Sequence, residues 1–73
     1  MVDKIEACFV SPPDKVGFAV ELFVKNGNQW GEIDQENGEL EIEICTVPGG
    51  QTLRFNLEEL ETVIDLAKKR LKG

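Results

Sequence analysis

Asn26-Gly27 and Asn37-Gly38 constrain this chain more than any other feature, because asparagine followed by glycine readily takes the positive φ angles of a tight two-residue hairpin. Each dipeptide separates stretches in which apolar and polar residues alternate with the period of a strand. The clearest is Glu39-Leu40-Glu41-Ile42-Glu43-Ile44, which sends Leu40, Ile42 and Ile44 to one face and three glutamates to the other. From Val16 to Lys25 the residues Phe18, Val20, Leu22 and Val24 share a face, opposite Ala19, Glu21, Phe23 and Lys25. A run from Trp30 to Gln35 lies between the two dipeptides, Ile5 to Val10 alternates nearer the start, and Gln51 to Phe55 reads as a fifth strand. Gly49-Gly50 supplies a further tight turn, and Ser11-Pro12-Pro13-Asp14 a longer one whose prolines fix φ and remove amide donors. Together these signals predict an antiparallel, five-stranded β-meander.

Turn positions also fix registers, and a slip of one residue would turn every side chain to the wrong face. Two-residue loops at the Asn-Gly dipeptides set Val20 opposite Ile33, Phe23 opposite Trp30, and Ile33 opposite Ile42. A Gly49-Gly50 loop sets Ile44 opposite Phe55 and Cys45 opposite Arg54. The four-residue first turn sets Phe9 opposite Val16 and Ile5 opposite Val20. All four registers assign the same residues to the same faces, so local and global signals agree.

After Phe55 the period changes, and Leu57, Leu60, Val63, Ile64, Ala67 and Leu71 form the apolar stripe of an amphipathic helix. Asn56 is its expected N-cap, with Glu59 three residues on and Phe55 placed to pack against Leu60 across the cap. Glu58, Glu59 and Glu61 lie near the positive end of the helix dipole and Lys68, Lys69, Arg70 and Lys72 near the negative end. Such a helix is roughly 24 Å long at 1.5 Å per residue, close to the width of five strands about 4.8 Å apart. The expected architecture is therefore α+β, one domain over residues 1–73, with a single C-terminal helix packed on one sheet face.

With 73 residues the chain has room for one small core and no second one. Cys8 and Cys45 are its two cysteines, too few for the bridged framework of a secreted mini-protein, and no basic region followed by an apolar run precedes the first strand. The expectation is a cytoplasmic protein that does not enter a membrane. Fourteen acidic side chains against eight basic ones give a net charge of −6, which disfavours nucleic acid and anionic lipid as partners. With no histidine and no tyrosine, the usual neutral-pH base and the phenolic acid are missing. Two cysteines fall short of a four-ligand zinc site, and no stretch follows the pattern of a calcium loop. Neither an enzyme nor a metal or cofactor site is expected.

One helix shields one face, so any readable function belongs to the other. That outer face should carry a row of Glu21, Glu32 and Glu43, a row of Glu6, Ala19, Asp34 and Glu41, and a row of Phe23, Trp30, Cys45 and Arg54. The acids alone are better explained by a solvated surface that discourages edge-to-edge association. The aromatics beside them suggest more, because aromatic anchors ringed by charge are typical of binding surfaces. The candidate interaction face is thus Glu21, Phe23, Trp30, Glu32, Glu43 and Arg54, and the expected function a non-enzymatic interaction module that binds a basic protein surface or self-associates. The order of strands followed by one C-terminal helix also resembles small single-stranded-nucleic-acid-binding regulators over the last two strands and the helix. That resemblance implies bases stacked on exposed sheet aromatics. The acidic sheet departs from the positive groove such proteins use.

Overall fold

The computed structural model describes residues 2–11, 17–35, 38–45 and 48–72. It is an α+β fold, in which strands β1 (Ile5–Val10), β2 (Ala19–Val24), β3 (Gln29–Asp34) and β4 (Glu41–Ile44) precede one helix, α1 (Leu57–Lys72). The strands form an antiparallel sheet in the order β1-β2-β3-β4.

In the first hairpin, β1 and β2 pair with Ile5 opposite Val24 and Phe9 opposite Val20, four residues away from the register expected of a four-residue turn. The shift is even, so every side chain keeps its face. The expected turn residues Pro12, Pro13 and Asp14 lie outside the described residues, as does Asn37 of the third loop. Across that loop Ile33 faces Ile42 as expected, and Gly38 takes a φ of 83°.

The middle hairpin closes differently. Instead of a two-residue loop, the Val24 N–H donates to the Asn28 carbonyl at 3.0 Å and the Gly27 N–H to the Val24 carbonyl at 2.7 Å. Asn26 takes the left-handed conformation at φ 60°, which its short polar side chain tolerates. Phe23 therefore faces Gln29, while Leu22 still faces Gly31 as in the expected phase. Trp30 is the extra residue of a β-bulge between these pairs, and a bulge can re-aim the side chain it carries. Expected on the outer face, Trp30 is instead 5% exposed in the core with Val20, Leu22, Ile33 and Ala67. Its ring lies 4.8 Å from that of Phe55. Gly31, next in the bulge, has little room for a side chain, because a Cβ there would meet the Glu43 carbonyl at 3.3 Å and Leu22 Cδ1 at 3.4 Å.

The expected fifth strand does not pair with β4. Pro48–Gly50 forms a tight, kinked turn in which Gly49 and Gly50 have φ of 80° and 65°, the sign a hairpin needs. Yet the following residues run to the opposite edge of the sheet. There Phe55 makes a parallel bridge with Asp3, the Asp3 N–H donates to the Arg54 carbonyl at 2.7 Å, and the Arg54 N–H donates to Asp3 Oδ2 at 3.0 Å. Contacts far apart in sequence offset the local hairpin preference, since Phe55 gains Trp30 as an aromatic neighbour and brings the helix start beside β1.

Asn56 caps α1 as expected, its Oδ1 accepting the Glu59 N–H at 3.0 Å. The Glu59 carboxylate does not turn back to the cap. It accepts the Ile5 N–H at 3.0 Å, with the Lys4 ammonium 3.9 Å away, and so joins the helix start to β1. Leu60, Val63, Ala67 and Leu71 pack on the core. The helix lies closest to β1, so it does not cover the sheet evenly. Ile42 and Ile44, expected in the core, are 47% and 67% exposed.

Candidate functional site

On the face away from the helix, the strand registers align Cys8, Glu21, Glu32 and Glu43 directly across four strands. The carboxylates of this row span roughly 10 Å at about 4.8 Å per strand step. Glu21 and Glu32 are half-buried and Glu43 is exposed. Beside the row, Asp34 faces Glu41 on one flank, and Glu6 faces Phe23 on the other. This side of the sheet therefore presents an acidic stripe with a half-buried aromatic at its margin.

Of the six residues expected to form an interaction face, Glu21, Glu32 and Glu43 stand together as one row, with Phe23 next to Glu21 along β2. Trp30 does not join them, because the bulge sends it to the core. Arg54 does not join them either. It lies beside Asp3 at the β1 edge rather than opposite Cys45 on β4, since the segment carrying it crosses the molecule. The guanidinium that does meet an aromatic ring is that of Arg70, 4.7 Å from the centre of Phe9. That contact lines a cleft of about 370 Å³ with Val10, Ser11, Phe18 and Leu71.

Sequence reasoning missed a second feature, on the helix side of β4. Ile33, Leu40, Glu41, Ile42, Ile64 and Lys68 line a groove of about 240 Å³ between β4 and α1. The residues are those of an amphipathic strand and helix, and their alternation shows only that they are able to be buried. The missing signal was geometric, because a helix drawn toward β1 by Glu59 and Phe55 leaves β4 uncovered.

Cys8 and Cys45 are free thiols near opposite edges of the sheet. Among the described residues, no three histidine, cysteine, aspartate or glutamate side chains are grouped to hold a metal ion. No helix among them is long and apolar enough to cross a membrane. Comparison of the chain with protein-family models, with curated proteins and with solved structures finds no match.

Proposed function

We propose that this protein is a non-enzymatic interaction module that binds a basic protein surface through its acidic sheet face. The observation that carries this reading is the alignment of Glu21, Glu32 and Glu43 on three adjacent strands. Like charges placed directly opposite one another cost stability. A partner supplying lysine or arginine gains attraction from the row on binding. Phe23 gives the row a half-buried apolar margin. Self-association through this face is disfavoured, because two copies would bring their carboxylates together. Nucleic acid is disfavoured by the same charge, and Trp30, the ring best suited to stack a base, belongs to the core.

The test is binding to a lysine-rich peptide at several salt concentrations. Glu21→Gln, Glu32→Gln and Glu43→Gln combined should weaken binding by on the order of tenfold, taking about 0.5 kcal/mol for each charge of the row. Glu58→Gln, Glu61→Gln and Asp65→Asn combined change the net charge equally from the exposed side of α1 and should weaken it less. Equal effects of the two triple variants would mean that only net charge matters, and would refute a specific face.

A further inference from the structure

The two edges of the sheet are treated differently. At the start of β1 the edge is covered, because the Asp3 N–H is held by the Arg54 carbonyl and the Ile5 N–H by the Glu59 carboxylate. At β4, among the described residues, nothing pairs with the outer edge. The Cys45 N–H donates to the Trp30 carbonyl at 2.8 Å, which fixes the phase of the β3–β4 ladder. Antiparallel alternation then turns the backbone groups of Glu41 and Glu43 toward β3 and those of Ile42 and Ile44 outward. These same two isoleucines are exposed large apolar residues, and Ile42 opens onto the groove beside Leu40 and Ile64. An open edge with an apolar face is a template for a further strand.

Charge decides which strand. A second copy pairing antiparallel through β4 with Ile42 opposite Ile42 would set Glu41 against Glu43 at both crossings. Acids on the outer face of the incoming strand are excluded for the same reason. Its inner face favours apolar residues, because the groove there is lined mainly by Ile33, Leu40, Ile42 and Ile64. We infer that β4 accepts an extended segment of another protein, added antiparallel, in which basic residues alternate with apolar ones. The basic side chains lie beside Glu41 and Glu43, and the apolar ones cover Ile42 and Ile44 and enter the groove. At about 240 Å³ the groove is smaller than the roughly 300–1,000 Å³ typical of small-molecule sites, a size suited to side chains. This inference rests on the proposed acidic-face function and names the form of its partner.

The probe is a short peptide of alternating lysine and valine, blocked at both ends and added to the full chain. In an antiparallel pairing its valine amides point at β4 and its lysine amides point away. Methylating the valine amide nitrogens should weaken binding at least tenfold, while methylating the lysine amide nitrogens leaves it unchanged. A peptide of the same composition with lysines and valines in two blocks should also bind at least tenfold more weakly. Saturating the protein with the alternating peptide should slow hydrogen exchange at the Ile42 and Ile44 amides at least tenfold. If the block peptide binds equally well, or those two amides exchange as before, strand addition is refuted while the acidic-face reading stands. If neither peptide binds, both fail. If Ile42 and Ile44 are already protected in a salt-stable dimer without peptide, the occupant is a second copy and the inference is overturned.

Discussion

Trp30→Ala separates the core position of this residue from a surface one. A tryptophan side chain buries about 150–250 Å², which at about 25 cal/mol per Å² amounts to about 4–6 kcal/mol of transfer free energy. Denatured chains retain some burial and the site relaxes in part, so the cost should settle near the usual 3–5 kcal/mol for large aromatic truncations. For 73 residues the total stability is about 4–11 kcal/mol at roughly 0.05–0.15 kcal/mol per residue. Trp30→Ala should therefore bring the protein close to unfolding at room temperature. Trp30→Phe keeps a ring facing Phe55 and removes the indole Nε1–H, which is buried and has no hydrogen-bond partner among the described residues. Its cost should be about 1–2 kcal/mol, leaving a folded protein for comparison. Urea unfolding followed by far-ultraviolet circular dichroism gives both values without relying on tryptophan emission. A loss below about 1 kcal/mol for Trp30→Ala would show an exposed side chain and refute the bulge-driven placement.

Four further substitutions probe the rest of the fold. Ile33→Ala, at a core position, should cost about 2–5 kcal/mol in urea melts, whereas Ile42→Ala, opposite it but half exposed, should cost about 1 kcal/mol or less; equal values would place the helix over β4. Glu59→Ala should cost about 1–2 kcal/mol and speed hydrogen exchange at the Ile5 amide, because it leaves that donor without its carboxylate; unchanged exchange would mean the helix is not joined to β1 there. Gly31→Ala should cost about 1–3 kcal/mol by forcing a methyl group against the Glu43 carbonyl and Leu22, and a neutral result would show that the β3–β4 ladder yields easily.

Much of the fold was legible because strand parity survives error. The β1–β2 register moved by four residues, yet Phe9, Val20 and Ile33 stayed on one face and Glu21, Glu32 and Glu43 on the other. Alternation determines the face independently of the exact partner. The bulge was not legible, because it depends on whether Val24 closes onto Asn28 or Lys25 does, a choice of one residue within a loop that sequence leaves open. That single residue moved Trp30 from the candidate site to the core. Its fluorescence consequently reports on folding more directly than on a partner at the acidic face. The fifth strand failed for a different reason. Gly49 and Gly50 adopt the backbone signs of a hairpin, but Asp3 and Phe55 are brought together by contacts that no local pattern announces. Arg54 left the site with that segment, and the open edge of β4 appeared in its place.

The joining of Ile5 to Glu59 has a kinetic consequence. The bond spans 54 residues, most of the chain, whereas the β2–β3 and β3–β4 hairpins are closed by short loops. Hairpins form in microseconds, but a contact between distant segments must first overcome the entropy of closing everything between them. The hairpins should therefore assemble early, with docking of α1 against β1 as the late step, and while the chain is being synthesised the Ile5 amide waits for its carboxylate until the helix has emerged. Loss of the Glu59 carboxylate should accordingly appear mainly as faster unfolding, with the refolding rate little changed.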